Sequence, residues 1–189
     1  MITTLLDIGC NVLGGYEHLK KFESIDSDAI RKIFFEPNPE CWNTIEEKLA
    51  YVSNSTLVKK AVSKQKGDVE LITRGDVVAD IAATIMSKEY FETSLARCNM
   101  YVNNFNTYKI QSVTITDILN EFNIVPEKTI LKLDAEGVEY DVLSEIIANS
   151  YSFNKIYCEF HIHTNVDSNR KAELIEQLNS KNITIIDWQ

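Results

Sequence analysis

The stretch Thr4-Leu-Leu-Asp-Ile-Gly-Cys-Asn-Val-Leu-Gly-Gly15 constrains this chain more than any other. Leu5, Leu6 and Ile8 form a short apolar run closed by Asp7 and Gly9, and Asn11, Gly14 and Gly15 follow as a turn with little side-chain bulk. The pattern reads as strand, tight turn, helix. In a parallel α/β sheet such a turn stands at the carboxyl edge of the strands, where ligands bind near the topological switch point. Small residues let a nucleotide approach the backbone, and a helix N-terminus presents free N–H groups.

Lys32-Ile-Phe-Phe-Glu36 is a second apolar run ending in a carboxylate, at about the separation from the glycines that a dinucleotide fingerprint requires. A carboxylate at that position accepts both hydroxyls of a ribose, a group that NAD and S-adenosylmethionine share. Asp7 separates the two cofactors. Inside the first turn it repels a pyrophosphate, which a dinucleotide sets against the helix N-terminus, and it attracts the ammonium of a methionine moiety. S-adenosylmethionine is therefore the expected cofactor, with an NAD-dependent enzyme as the disfavoured competitor.

The rest of the chain alternates in the same way. Glu36-Pro-Asn-Pro39 stops the second strand, and Asn38 is the expected N-cap of a helix from Glu40 to Ala50. Trp42, Ile45 and Leu49 recur there at helical spacing and are expected in the core. Thr56-Leu-Val-Lys59 with Ala61-Val62 reads as a third parallel strand and its carboxyl end, so Ala61, Val62 and Ser63 border the same crevice, where an adenine ring fits. Val69-Glu-Leu-Ile-Thr73 alternates like a half-buried strand.

From about residue 74 to 109 the pattern dissolves into an irregular insertion, with a weak helical period over Met86 to Arg97 and then aromatics among asparagines from Tyr101 to Tyr108. A long segment of this kind is a candidate lid or substrate-facing surface. Strand character resumes over Ile110 to Ile115, and Thr116 is the expected cap of a short helix to Phe122. Thr129-Ile-Leu-Lys-Leu-Asp134 is a central strand that brings a third carboxylate to the sheet edge, and Ala135-Glu-Gly-Val-Glu139 turns it into a helix from Tyr140 to Ala148. Lys155 to His161 is the next strand, and because alternate residues share a face, Glu159, His161 and His163 point the same way while the extension lasts. A helix from Ser168 to Lys181 leads into Ile183 to Trp188. This alternation predicts one α/β domain over residues 1–189, a doubly wound, mainly parallel Rossmann-like sheet with the first strand central.

Composition narrows the function. With 44% apolar and 25% charged residues the chain has the means for a real core, and no apolar run approaches membrane length. Met1 leads straight into the first strand without a signal segment, so a cytoplasmic enzyme is expected. Cys10, Cys41, Cys98 and Cys158 are widely spaced and are expected as free thiols. A formal charge of −9 argues against general nucleic-acid binding, and the basic pairs Lys20-Lys21, Arg31-Lys32 and Lys59-Lys60 are expected as solvated surface.

Taken together these pieces resemble the FkbM-type S-adenosylmethionine-dependent methyltransferases. The resemblance rests on Asp7-Ile-Gly-Cys-Asn11, Phe35-Glu-Pro-Asn-Pro39, Ala61-Val-Ser63, Leu131-Lys-Leu-Asp-Ala-Glu-Gly-Val-Glu139 with Val142-Leu143, and Glu159-Phe-His161, in this order over most of the chain. It implies a class I methyltransferase fold and methyl transfer, mostly to oxygen, on a glycan or small metabolite. By the same resemblance Asp7, Gly9 and Asn11 line the methionine moiety, Glu36 takes the ribose and Ala61 to Ser63 border adenine; Gly14, Asn38 and Asp134 are further candidates for cofactor binding. Two departures accompany it. Leu13 stands where the family's usual glycine would be, and the chain stops about where the sheet's last hairpin strand should begin.

Methyl transfer is an in-line displacement that needs positioning and, for a hydroxyl acceptor, removal of a proton. His161 is the one candidate base near its useful pKa, and Asp134 and Glu136 are the alternatives, as bases or as carboxylates facing a sulfonium. Glu136 and Glu139 can equally serve as caps of the helix that follows. Asp134, Glu136, Glu159, His161 and His163 could also supply oxygen and nitrogen ligands to a metal, but carboxylates gather at this edge without one, and no metal is assigned. A non-catalytic binding module on the same fold is the alternative from another class. The apolar run that closes the chain predicts a sheet edge and self-association there, a homodimer being the simplest form.

Overall fold

The computed structural model describes residues 1–75, 83–97, 100, 104–162 and 165–188. In chain order its elements begin with β1 (Thr4–Ile8), α1 (Gly14–Leu19), β2 (Arg31–Phe35), α2 (Trp42–Leu49), β3 (Ser55–Val58), β4 (Ala61–Val62), β5 (Gly67–Arg74) and β6 (Ala83–Thr84). They continue with α3 (Lys88–Arg97), β7 (Phe105–Val113), α4 (Ile115–Glu121), β8 (Thr129–Leu133), α5 (Glu139–Ala148), β9 (Lys155–Cys158), α6 (Asn165–Ser180) and β10 (Thr184–Asp187). Six strands form a parallel sheet in the order β10-β9-β8-β1-β2-β3, so β1 is central as the sequence predicts. Among the described residues β10 is an edge strand, paired with β9.

Alternation along the strands sorts the core into two layers. Leu6 and Ile8, Ile33 and Phe35, Leu131 and Leu133 face the layer closed by α4, α5 and α6, where Ile118, Val142, Leu143, Leu174 and Leu178 are buried. Leu5, Phe34 and Ile130 face the other layer, with Tyr16 and Leu19 of α1 and Ile45 of α2. Each such fully buried side chain contributes about 1.5–3 kcal/mol relative to exposure.

Three charges sit in that second layer. Asp7 pairs in register with Lys132 across β1 and β8, and Lys32 lies on β2, the other neighbour of β1. Lys32 is completely buried, and its Nζ donates to the carbonyls of Ser27, Ile30 and Ser53 at 3.0, 3.1 and 3.0 Å. Arg31 donates to the Phe122 carbonyl at 2.6 Å. The pair Arg31-Lys32 is therefore structural rather than solvated surface, because Lys32 falls on an inward position of a strand buried on both faces.

A second, four-stranded sheet, β4-β7-β5-β6, arises where the sequence was least regular. β7 begins at Phe105, five residues before the expected strand, and pairs with β5 along its whole length from Gly67↔Ser112 to Arg74↔Phe105. Ala61-Val62 belongs to this sheet, paired parallel with β7, and does not extend β3. The chain between β3 and β4 thus passes from one sheet to the other. Tyr101 to Asn103 lie outside the described residues.

Local caps also differ from expectation. α4 is capped by Thr114, whose hydroxyl accepts from Asp117 N while the Asp117 carboxylate accepts from Thr114 N, and Thr116 instead binds Glu145 from inside the helix. This reciprocal capping box satisfies two donors where Thr116 would satisfy one. Asn38 does not cap α2, whose N-cap is Cys41; its Oδ1 accepts from Glu40 N, an Asx turn that follows Pro37. Trp42 is half-buried, with its Nε1 donating to the Glu36 carbonyl and Lys59 over its ring, so only Ile45 of the predicted apolar trio is fully buried.

Candidate functional site

A cavity of about 350 Å³ opens at the carboxyl ends of β1, β2 and β8. Ile8, Gly9, Asn11, Phe35, Glu36 and Asp134 line it from the parallel sheet side, and Leu71, Arg74 and Ala83 line it from the second sheet, with Ile85 just beyond β6. The second sheet is anchored above the site by Glu40, whose Oε1 accepts from Tyr108 Oη at 2.7 Å, Thr73 Oγ1 at 3.3 Å and Asn106 Nδ2 at 3.4 Å.

The first turn is set by Gly9. Its φ is +75°, and a Cβ there would stand 1.7 Å from the backbone oxygen of Asp134, so the ends of β1 and β8 touch only because residue 9 has no side chain. Gly9 N and Cys10 N both donate to the Phe35 carbonyl, at 3.0 and 3.1 Å, which closes the turn onto β2. Asn11 (φ +48°) and Leu13 (φ +66°) are also left-handed. Leu13 takes the conformation that a glycine adopts without cost and fills the core with its side chain.

Glu36 stands at the mouth of this turn. Its Oε2 accepts from Asn11 N at 2.7 Å and its Oε1 from Asn38 N at 2.9 Å, so one carboxylate ties the β1 turn to the β2 turn. Burial raises its pKa to about 7 despite these two hydrogen bonds. Ala61 and Val62 line the same cavity although they come from the second sheet.

At the opposite end of the cavity, Asp134, Glu136 and Glu159 line the wall. His161 joins them, its Nε2 lying 3.4 Å from Glu136 Oε2 and 3.9 Å from Asp134 Oδ1. β9 ends at Cys158, so Glu159 and His161 reach this point from the loop beyond the strand. Glu139, fully buried at the start of α5, organises the group: its Oε1 accepts from His161 N at 2.8 Å and faces His161 Nδ1 at 3.1 Å, and its Oε2 accepts from Gly137 N at 2.8 Å. Burial lowers the His161 pKa, but Glu139, Glu136 and Asp134 outweigh it and hold the imidazole protonated, with a pKa of about 10. Burial, reinforced by Asp134, Glu139 and Glu159, raises Glu136 to about 7.

A family model described as the methyltransferase FkbM domain matches residues 7–181. The chain belongs to the FkbM methyltransferase family. No curated protein and no solved structure matches it.

Within this FkbM domain the expected site residues divide into two groups. Gly9, Asn11, Glu36, Ala61, Val62, Asp134 and Glu136 line one cavity, with His161 in contact behind them. Asp7, Gly14, Asn38 and Ser63 do not line it. Asp7 is buried on the far face of β1 with Lys132 Nζ 3.2 Å from its Oδ1, so it neither faces a ligand nor repels a pyrophosphate there. Gly14 is the exposed first residue of α1, Asn38 is buried behind Glu36, and the Ser63 hydroxyl donates to the Gln65 carbonyl at 2.6 Å in a separate recess. His163 lies outside the described residues.

The carboxylates around His161 raise its pKa to about 10, while Glu136, in contact with it and on the cavity wall, is raised to about 7. Sequence reasoning did not single out Lys132, whose Nζ donates to the Gly9 carbonyl at 2.7 Å and lies 3.2 Å from Asp134 Oδ2. Part of its signal was present: a lysine inside a central apolar strand requires a partner, but the register that supplies Asp7 is visible only in the structure.

Proposed function

We propose that this domain is an S-adenosylmethionine-dependent methyltransferase acting in the cytoplasm on a hydroxyl group of a glycan or small metabolite. Membership of the FkbM family points to methyl transfer, and the observation that carries the cofactor is Glu36, a buried carboxylate on the wall of a cavity at the carboxyl edge of the sheet, with each oxygen accepting from one backbone N–H. Each oxygen has a second lone pair, which suits two ribose hydroxyls. The donor set fits the group in its other parts as well: Ala61, Val62 and Leu71 offer an apolar surface for a purine, and Gly9 and Asn11 offer backbone without bulk.

When bound, S-adenosylmethionine supplies an electrophilic methyl group. The chain's own residues do the rest. Glu36 orients the ribose, the Gly9 turn fixes the approach along the ends of β1 and β8, and the second sheet excludes water from above. Glu136 takes the proton of the acceptor hydroxyl, Asp134 is held in place by Lys132, and the His161 imidazolium, clasped by Glu139, offsets the negative charge that gathers on this wall.

A thermal-shift comparison of S-adenosylmethionine, its demethylated product and NAD tests the reading. Stabilisation by the first two and not by NAD supports it. Stabilisation by NAD alone supports the dinucleotide alternative, and no stabilisation by any of the three leaves a binding module on a methyltransferase fold.

A further inference from the structure

We propose that Asp134, Glu159 and His161 form a divalent-cation site at the inner wall of the cavity. Ligand atoms from these three residues lie within 4.8 Å of one another, all three half-buried, at the ends of the adjacent strands β8 and β9. Two carboxylates and one imidazole suit a first-row divalent ion such as manganese, whose remaining positions stay with water or substrate oxygen.

Two further features mark the site as built for a cation. The imidazole is oriented from behind by Glu139, a fully buried carboxylate held by Gly137 N and His161 N, which directs Nε2 towards Asp134 and Glu136. A carboxylate fixing the far nitrogen of a histidine is the usual outer partner of a metal-bound imidazole. The local charge is also unbalanced, since Asp134, Glu136, Glu139 and Glu159 face His161 and Lys132, and Lys132 is shared with Asp7. Entry is open, because Asp134 and Glu159 both line the cavity.

On binding, the cation replaces the proton on His161 Nε2, which leaves to solvent, and it accepts lone pairs from one oxygen each of Asp134 and Glu159. Glu136 remains beside it. In the methyltransferase reading, on which this use depends, an acceptor hydroxyl binds the cation and loses its proton to Glu136 more readily.

The test is titration of the full chain, freed of metal with a chelator, with Mn²⁺ alone, followed by electron paramagnetic resonance. The expected result is one Mn²⁺ per chain, with at least a tenfold loss of affinity in Glu159→Gln and in His161→Ala and none in Asp68→Asn, an exposed carboxylate elsewhere. Circular dichroism checks that each variant folds. Because a variant can fail to fold, the wild-type complex is also examined for hyperfine coupling to an imidazole nitrogen. Absence of a stoichiometric site, absence of that coupling, or affinity unchanged in both variants overturns the proposal. Calorimetry with S-adenosylmethionine, run separately, keeps the two readings distinct: loss of cofactor binding with Mn²⁺ bound refutes the proposed function alone, and cofactor binding without Mn²⁺ binding refutes this site alone.

Discussion

Lys132 Nζ stands 3.2 Å from Asp7 Oδ1, and the two residues are register partners on β8 and β1 with almost no exposure to solvent. Burial opposes the charge on each. It raises the Asp7 carboxyl, and for Lys132 it is outweighed by Asp7 and Asp134, which raise the ammonium. Removing one partner strands the other. Lys132→Met should destabilise the fold by about 3–5 kcal/mol, while the double variant Asp7→Leu/Lys132→Met should recover part of that loss. Urea unfolding midpoints of the two variants measure the difference, and equal losses would deny the pair its coupling.

Replacement of Glu36 tests the cofactor end of the cavity. Glu36→Ala removes the acceptor for Asn11 N and Asn38 N together with the expected ribose contacts. Each charge-assisted hydrogen bond to a ligand is worth about 1.5–3 kcal/mol, so S-adenosylmethionine affinity should fall at least tenfold. Glu36→Gln, which keeps one acceptor oxygen, should lose less. Isothermal calorimetry on both variants checks the order.

Glu36 also sets a pH dependence. Its pKa is raised by burial to about 7 in the folded chain, above the ordinary value of 4.5. A raised carboxyl binds its proton more tightly when folded, so this group's contribution to stability is present in full below about pH 4.5 and is lost as the pH rises through about 7. A ligand whose hydroxyls donate to the carboxylate favours the ionised form. Binding should therefore release a proton near pH 6.5 and weaken as the medium becomes more acidic. Calorimetry in buffers of different ionisation enthalpy counts that proton.

Leu13→Gly sets two effects against each other. Glycine relieves a left-handed leucine, worth roughly 1–2 kcal/mol. It also deletes a buried side chain, and truncations of leucine in a core cost about 2–5 kcal/mol. Packing should win. A net loss of melting temperature is expected, and a gain would mean that Leu13 is a strained relic of the turn.

Self-association along β10 is the expected use of the free sheet edge, where Thr184 and Asp187 are exposed and Ile185 and Ile186 half-buried. Light scattering at high micromolar concentration should report a dimer, and Ile186→Lys should return a monomer.

The legible parts of the fold were those with a period. The strand ends at Glu36 and Asp134 and the Gly9 turn declared themselves through short apolar runs closed by acids or glycine, and the family resemblance ordered them. The transfer of Ala61 and Val62 to another sheet was not legible, because a two-residue strand leaves no alternation to read and its partners in β7 are 51 residues away in the chain. The placement of Asp7 failed for a different reason. A carboxylate in a binding turn and one buried against a lysine look alike until the register of β8 is known. His161 was singled out, but its surroundings were not legible: Glu139, expected as a simple cap, accepts from its backbone N and faces its Nδ1.

Glu40 holds the second sheet over the cavity through side chains of β5 and β7, while the surface below belongs to β1, β2 and β8. A molecule lodged between them touches both sheets, which already share a core through Val62 and Val113. A ligand there adds its contacts to the bonds that Glu40 makes to the second sheet, and amide hydrogens along β5 and β7 should exchange more slowly whenever the cavity is filled.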